Sequence, residues 1–179
     1  MEEQKFNLMK IAGKLKKYLD EDRLWHTLGV MQMSASLAIR YDYPMERAQL
    51  AGLLHDCAKR YTDNELIARS QKHGLSLTES ELKAPAVIHA KYGAWMARNK
   101  FGIQDEEILS AIQCHTTGKP GMGILDKILY IADYIEPRRD KASNLARMRY
   151  LAFQDLDQTM YEILAGTINY LKGKGGCID

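Results

Sequence analysis

Apolar residues recur along most of the chain at intervals of three and four, the spacing that places them on one face of a helix. Phe6, Met9 and Leu15 belong to such a stripe, which predicts a first helix over residues 4–19. No segment of the sequence alternates apolar and polar residues in the way that is typical of a half-buried strand. The pattern therefore predicts an all-α fold.

Capping and turn residues divide the remaining chain into further helices. The second helix is predicted to begin at Asp20 or Asp22 and to run to about Arg40, and the third to begin at Pro44 and to end near Lys59 with the pair His55-Asp56 in its last turns. The later helices are predicted to begin at the capping boxes Thr62–Glu65 and Thr78–Glu81, at Pro85, at Asp105, after a Gly-rich loop at 116–123, and at Asp155. The last of them is predicted to end near Leu171.

The segment that follows the Gly-rich loop is the most apolar part of the chain, which predicts a deeply buried helix ended by Pro137. Leu125 and Ile135 belong to this helix, and Asp133 lies within it. Burying a carboxylate is costly unless it is paired, hydrogen-bonded or bound to a metal ion. Lys127 is six residues away, so no obvious local cation pairs with Asp133. This aspartate is therefore a candidate for a functional site.

Composition and charge bound the classes of partner. The chain has 179 residues without an evident linker, which favours one domain over residues 1–179. A net charge of +2 is too small to argue for nucleic acid or an anionic membrane as the main partner. A homodimer stays open, because the Met-rich first two helices could bury their faces against each other or against a second subunit.

Targeting and cysteine patterns favour a soluble cytoplasmic protein. No apolar run approaches the roughly 20 residues that a membrane span needs, and the first residues lack the apolar segment of a signal peptide. The three cysteines, Cys57, Cys114 and Cys177, are far apart and form no Cys-x-x-Cys motif. A disulfide framework and a thiolate zinc site are therefore not expected.

Several polar residues lie in apolar surroundings on or beside predicted helices. Taken singly, a histidine in this setting is more often a hydrogen-bonded core residue or a surface residue, and an aspartate is more often solvent-facing or salt-bridged. Taken together, the set indicates a shared site; its members are His26, His55, Asp56, His89, His115 and Asp133. His73 lies beside Gly74 at a helix end, where it complements the helix dipole, and is not assigned to the site.

The chemistry of this set points to a metal centre. Imidazole and carboxylate ligands without thiolate favour iron(II), manganese or magnesium, with zinc also compatible. Four ligands from His26, His55, Asp56 and Asp133 leave positions for water and a phosphate oxygen, so the centre can activate water and polarise phosphorus. His89 and His115 either complete a second metal position or bind the phosphates of a substrate directly.

The order of these residues resembles the HD superfamily of metal-dependent phosphohydrolases, and more closely the bacterial family of symmetrical diadenosine tetraphosphate hydrolases, often called the YqeK family. The resemblance covers about residues 20–170. It runs through Arg23-Leu24-Trp25-His26-Thr27, Gly52-Leu53-Leu54-His55-Asp56-Cys57-Ala58-Lys59, His89-Ala90-x-x-Gly93, His115-Thr116-Thr117-Gly118 and Ala132-Asp133-Tyr134-Ile135-Glu136-Pro137-x-Arg139.

The resemblance implies a single HD-type helical bundle with a metal site at its centre. It implies that an ion, most often iron in this family, is held by His26, His55, Asp56 and Asp133. The implied reaction splits a dinucleoside tetraphosphate in the middle into two nucleoside diphosphates. Phosphoryl transfer depends mainly on positioning and electrostatics, so Asp56 or Asp133 is expected to orient the nucleophilic water, and cationic groups are expected to neutralise charge on the phosphates.

The resemblance also implies a set of substrate-binding residues. Those expected on the phosphate side are Arg23, Lys59, His89, His115, Thr116, Thr117 and Gly118, with Arg139 nearby. Lys59, His89 and His115 join Asp56 as the expected catalytic residues. Asn169 and Tyr170 are expected to contact a nucleoside.

Three other functions stay open at this point. The chain could be another HD phosphohydrolase, a nucleotidase or phosphodiesterase acting on mononucleotides or cyclic nucleotides. It could be a non-catalytic nucleotide sensor, although every metal-type residue is present. A purely structural helical adaptor is the third alternative; it predicts that replacing Asp56 changes neither metal content nor nucleotide affinity.

Overall fold

The computed structural model describes residues 6–175, and these residues form ten α-helices, one 3₁₀ turn and no strand. The prediction of an all-α fold is confirmed. The helices are α1 Leu8–Leu15, α2 Glu21–Arg40, α3 Met45–Leu54, α4 Asp63–Lys72, α5 Glu79–Lys83, α6 Ile88–Phe101, α7 Glu106–Cys114, α8 Ile124–Ile135, α9 Leu145–Leu151 and α10 Leu156–Lys174, with the 3₁₀ turn Pro85–Val87 preceding α6. Residues 1–5, where the first helix was predicted to start, and Cys177 lie outside the described part.

Helices α2, α3 and α8 form the centre of the hydrophobic core, and α6, α7 and α10 pack around them. Gly52 of α3 allows α2 to approach closely, because a Cβ atom there would lie 2.8 Å from the Cα atom of Met31. This contact fixes α3 against the middle of α2. The apolar face of α8 is buried as predicted; Leu125, Ile128 and Ile131 have no more than 1% of their surface exposed.

The third helix is shorter than predicted. It ends at Leu54 rather than near Lys59, and His55 is its C-cap. The backbone then tightens, because the N–H groups of Cys57 and Lys59 donate to carbonyl groups three residues earlier instead of four. Such tight turns rotate successive side chains further than an α-helix does. His55 and Asp56 therefore follow the helix rather than lie within it.

Two predictions for the C-terminal half were also wrong. The sequence analysis missed α9, a seven-residue helix that buries only Leu145 and Met148 and is too short to show a clear stripe. The last helix continues to Lys174, beyond the predicted end near Leu171, and Gly175 ends it with a positive φ of 65°.

Among residues 6–175, no helix combines the length and the apolarity that crossing a membrane requires.

The helix starts were predicted well. Asp20, Thr62, Thr78, Asp105 and Asp155 are N-caps whose side chains accept hydrogen bonds from backbone N–H groups of the first turn. Both predicted capping boxes are present. The predicted loop at 116–123 separates α7 from α8, and Gly118 and Gly121 within it have positive φ angles that other residues rarely adopt.

Candidate metal centre and active site

Six of the predicted site residues meet in one buried cluster around Asp56. Helix α2 supplies His26, the turn after α3 supplies His55 and Asp56, α6 supplies His89, the C-cap of α7 supplies His115, and α8 supplies Asp133. The Nε2 atoms of the four histidines lie between 3.2 and 3.8 Å from one or other carboxylate oxygen of Asp56. Residues far apart in the sequence thus converge on one point.

Each histidine of the cluster is oriented by a hydrogen bond from its other ring nitrogen. The Nδ1–H groups of His55, His89 and His115 donate to the carbonyl groups three residues earlier, those of Gly52, Ala86 and Ile112. The Nδ1–H group of His26 donates to Oε1 of Glu136 at 3.0 Å. With Nδ1 carrying the proton, Nε2 keeps its lone pair, and all four lone pairs face the centre of the cluster.

This arrangement fits a divalent metal ion. The Nε2 atom of His55 has no hydrogen-bond partner within the described part of the chain, although it is fully buried. Three overlapping groups of residues can each bring one ligand atom per residue to within 4.8 Å of the others in the same group. These groups are His26–His55–Asp56, His55–His115–Asp133 and Asp56–His89–His115. Lone pairs of imidazole and carboxylate that face one another repel unless a cation lies between them.

The side of the cluster around Oδ2 of Asp56 is rich in carboxylate. Oδ1 of Asp133 lies 3.1 Å from Nε2 of His26 and 3.9 Å from Nε2 of His55. Burial disfavours protonation of His26, but the carboxylates of Asp133, Glu136 and Asp56 outweigh burial and raise the pKa of this histidine. Burial likewise acts to raise the pKa of Asp133, yet His26, His55 and Arg139 hold it well below its usual range. This pocket favours positive charge.

The side around Oδ1 of Asp56 is poorer in negative charge. Nε2 of His89 lies 3.2 Å from this oxygen and 3.2 Å from Nε2 of His115. Burial lowers the pKa of His89, and the neighbouring His115 and Lys59 add to that effect against the opposing influence of Asp56. The Nζ atom of Lys59 lies 3.3 Å from Nδ1 of His89, and burial lowers the pKa of this lysine as well. Thr116 brings its hydroxyl within 3.4 Å of Nε2 of His89.

Two arginines pair with the two carboxylates of the cluster. Arg23 donates from Nη1 to Oδ2 of Asp56 at 2.8 Å, and Arg139 donates from Nη2 to Oδ1 of Asp133 at 2.6 Å. The expectation that Asp133 has no nearby cation was therefore wrong. Pro137 ends α8, and the chain then turns back so that Arg139, six residues after Asp133, reaches it. Both guanidinium groups are partly exposed and can also meet a ligand.

Glu136 is a positioning residue that the sequence analysis did not identify. Its side chain is 1% exposed, and its Oε2 accepts a hydrogen bond from the backbone N–H of Arg138 while Oε1 orients His26. Gly29 makes room for it, because a Cβ atom there would lie 2.6 Å from Oε2 of Glu136. Glu136 stands in the quoted motif next to Pro137, but His26 and Gly29, which fix its position, belong to α2, and no local pattern shows these contacts.

A cavity of about 710 Å³ opens beside the cluster. His115, Thr116, Asp133 and Arg139 line its inner end. Its outer part is formed by α8, α9 and α10 and includes the rings of Tyr130, Tyr134 and Tyr170. This first cavity has the size and the mixed apolar and polar lining that small-molecule sites share.

Six predicted substrate-binding residues lie outside the lining of this first cavity; Arg23, Lys59 and His89 contact the cluster instead, and the other three are Thr117, Gly118 and Asn169. Thr117 is exposed and donates its hydroxyl to the carbonyl of Gly118. Gly118 donates its N–H to the carbonyl of Cys114, and a Cβ atom on it would face Met122 at 3.5 Å. Asn169 is exposed on α10 beside Tyr170, which does line the cavity.

Comparisons with known proteins show which family the chain belongs to. The family model described as "HD domain" matches residues 23–138. The chain belongs to the HD domain family. It is 38% identical, over 89% of its length and 84% of the relative, to the symmetrical bis(5'-nucleosyl)-tetraphosphatase of Halalkalibacterium halodurans. It is 37% identical to the protein of the same description from Bacillus subtilis, over 89% of this chain and 85% of that one.

A solved structure has the same fold. The crystal structure of a predicted HD superfamily hydrolase involved in NAD metabolism, from Clostridium acetobutylicum, superposes with a TM-score of 0.93. The two sequences are 37% identical, and the match covers 97% of this chain and 92% of that one. The resemblance that the motifs indicated is confirmed by these relatives.

Proposed function

We propose that this protein is a metal-dependent hydrolase that cleaves diadenosine tetraphosphate and related dinucleoside tetraphosphates symmetrically into two nucleoside diphosphates. The observation that carries the proposal is the convergence of His26, His55, Asp56 and Asp133 on one point, in a chain whose relatives at 37% and 38% identity are described as symmetrical bis(5'-nucleosyl)-tetraphosphatases. We further propose that residues 1–179 act as one HD-type domain.

The metal is proposed to be held by His26, His55, Asp56 and Asp133. A bound divalent ion would supply Lewis acidity and an activated water at this point. Iron is the proposed metal, since imidazole and carboxylate ligands without thiolate suit it; manganese, magnesium and zinc are the alternatives. A second ion is proposed near His89 and His115, whose Nε2 atoms share Oδ1 of Asp56.

The protein's own groups account for the rest of the reaction. Water attacks one of the two central phosphorus atoms. The bond from that phosphorus to the oxygen that bridges the two central phosphorus atoms breaks, and two nucleoside diphosphates form. Asp56 and Asp133 orient the water through their carboxylate oxygens. Lys59 and the two arginines of the cluster, Arg23 and Arg139, neutralise the charge that develops on the phosphoryl and leaving-group oxygens.

His89 and His115 are proposed to act on the phosphates. His89 has a lowered pKa, so at neutral pH its imidazole is uncharged and can accept or pass a proton at Nε2. The hydroxyl of Thr116, 3.3 Å from Nε2 of His115, offers a further donor to a phosphate oxygen. Thr117 is proposed to donate its backbone N–H to the substrate phosphates, and Gly118 to allow the backbone to approach them closely.

The first cavity is proposed to bind one nucleoside. Tyrosine rings such as Tyr134 and Tyr170 offer faces on which a base can stack, a contact worth about 1–3 kcal/mol per base in nucleic-acid complexes. Asn169 is proposed to reach the same nucleoside from the end of α10. Asp133 and Arg139 line this cavity, which supports the proposal that the phosphates of such a ligand lie next to the metal-type residues.

We also propose a cytoplasmic location and a homodimeric assembly, as the sequence indicates. We place the protein in the cytoplasm, where nucleotides are made and where thiols such as those of Cys57 and Cys114, both free, stay reduced. A homodimer is supported by exposed apolar side chains on the first two helices, with Met9 84% and Trp25 54% exposed.

The decisive experiment incubates the protein, loaded with iron or manganese, with a nucleotide panel and identifies the products by mass spectrometry. Two molecules of adenosine diphosphate from each diadenosine tetraphosphate support the proposal. The monophosphate with the triphosphate, or turnover of mononucleotides or cyclic nucleotides alone, would favour another HD phosphohydrolase. Nucleotide binding without turnover under every divalent metal would favour a sensor.

A further inference from the structure

A second cavity, of about 440 Å³, also opens at the cluster, and most of the residues that line it differ from those of the first. It opens between the start of α2 and the segment 136–141 that follows α8. His26, Arg23 and Arg139 line its inner end, and Asp22, Arg138 and Lys141 line its outer part. Its volume falls within the range of about 300–1,000 Å³ typical of small-molecule sites.

The two cavities meet at the metal-type residues. Arg139 and Lys141 line both, and each cavity reaches a ligand of the same cluster, Asp133 in the first and His26 in the second. The Nε2 atom of His26 and Oδ1 of Asp133 are 3.1 Å apart. A ligand bound across this point can therefore extend into both cavities at once.

A dinucleoside tetraphosphate has two nucleosides, one on each side of the bond proposed to break. If one nucleoside occupies the first cavity and the central phosphates lie at the cluster, the other nucleoside must leave the cluster by a different route. The second cavity is such a route, and it begins at two arginines that can hold phosphate oxygens.

We propose that the second cavity is the binding site for the other nucleoside of the substrate, the half that the first cavity does not hold. This inference rests on the proposed function and extends it. Arg138 and Asp22 are the residues proposed to contact this nucleoside. Their ion pair is long, 3.4 Å, and half or more of each side chain is exposed, so a ligand can displace it at little cost.

The lining predicts how this half is bound. The residues that line the second cavity all have ionisable side chains and none is Tyr, Trp or Phe, in contrast to the three tyrosines of the first cavity. A carboxylate such as that of Asp22 accepts hydrogen bonds from ribose hydroxyls, and the planar guanidinium of Arg138 can lie against a base. The first cavity holds its nucleoside by stacking, and the second by polar contacts.

The test compares two substrates that differ only by this nucleoside. Diadenosine tetraphosphate carries it, whereas adenosine 5'-tetraphosphate lacks it and yields adenosine diphosphate and pyrophosphate on the same cleavage. The wild type, Arg138→Ala and Asp22→Asn are assayed for kcat/KM on both substrates. Arg98→Ala is the matched control, because Arg98 also forms an exposed ion pair, with Glu106, and lies outside both cavities.

We expect each cavity variant to lower kcat/KM for diadenosine tetraphosphate by about tenfold, through KM, and to change that for adenosine tetraphosphate by less than about twofold. Arg98→Ala leaves both unchanged. Equal loss on both substrates, or no loss on either, overturns the inference. A wild type that produces adenosine diphosphate from neither substrate refutes the proposed function instead. Melting temperatures of all variants separate misfolding from lost binding, and Asp22→Asn decides if Arg138→Ala does not fold.

Discussion

The two oxygens of Asp56 face two different environments. Around Oδ2, two imidazoles, His26 and His55, share the space with a second carboxylate, Asp133. Around Oδ1, two further imidazoles, His89 and His115, lie near Lys59 and have no second carboxylate. The Oδ2 side thus combines two carboxylates with the guanidinium groups of Arg23 and Arg139, whereas the Oδ1 side combines two imidazoles with the amine of Lys59. The four proposed metal ligands thus lie on the Oδ2 side, and the imidazoles proposed to act on the phosphates lie on the Oδ1 side.

Replacing Asp56 affects both sides and should have the largest effect. Asp56→Asn leaves the geometry but removes the shared negative charge, and we expect loss of bound metal and a fall in kcat of about a thousandfold or more. Metal content by mass spectrometry and the hydrolysis rate measure this. Asp126→Asn is the matched control, since Asp126 is also a buried carboxylate, 5% exposed, but lies outside the cluster. Unchanged metal content in Asp56→Asn would favour a structural adaptor.

The variants Asp133→Asn and His89→Ala test the roles of the two sides separately. We expect Asp133→Asn to lose the metal, because it removes one of the two negative charges on the Oδ2 side. His89→Ala should keep at least one ion per chain and lower kcat by about a hundredfold, because only a phosphate-directed group is lost. Metal titration and kcat are measured for both variants. The comparison fails if His89→Ala empties the site and Asp133→Asn does not.

Glu136 should contribute less than a direct ligand. The amide of Glu136→Gln has one acceptor oxygen, so either His26 or the N–H of Arg138 loses its partner. We expect metal affinity to fall by about 10–100-fold, as for other residues that orient a ligand histidine. The absorption of a cobalt-substituted protein reports both affinity and geometry.

Gly29→Ala tests the same contact from the other side. Its added methyl group displaces the Glu136 carboxylate without changing any polar group. We expect a similar loss of cobalt affinity and a similar spectral change. Full metal affinity in both variants would show that Glu136 only supports the fold.

The smallest effect is expected at His73, the histidine that was left out of the site. Its ring stacks on Trp95 with centroids 3.8 Å apart, and it is the C-cap of α4. His73→Ala should leave metal content and kcat unchanged and should lower the free energy of unfolding by about 1 kcal/mol. Urea denaturation and the hydrolysis assay measure these. A loss of bound metal would mean that the site extends further than the cluster.

Signals contained within a few residues were predictable from the sequence. The capping boxes at Thr62 and Thr78 and the buried face of α8 follow from local hydrogen bonding and helical periodicity, and the structure has them. The choice of His26, His55, Asp56 and Asp133 as a group came from polar residues in apolar surroundings. Their convergence could be expected, because buried charges need partners.

Features that depend on the path of the chain between elements could not be predicted. His55 and Asp56, which follow the end of α3, both bring a ligand atom to the centre of the cluster, although neighbouring positions on an α-helix point about 100° apart. The reversal after Pro137 brings Arg139 to Asp133. The burial of Glu136 depends on Gly29, which lies more than one hundred residues earlier and carries no pattern of its own.

The most direct measurement of the central claim is anomalous diffraction from a crystal soaked with manganese and adenosine diphosphate. The account predicts a peak about 2.0–2.2 Å from Nε2 of His26, Nε2 of His55 and oxygens of Asp56 and Asp133, with the phosphates of the nucleotide beside it. No peak at this point in crystals that bind the nucleotide, with or without a peak elsewhere, would contradict it.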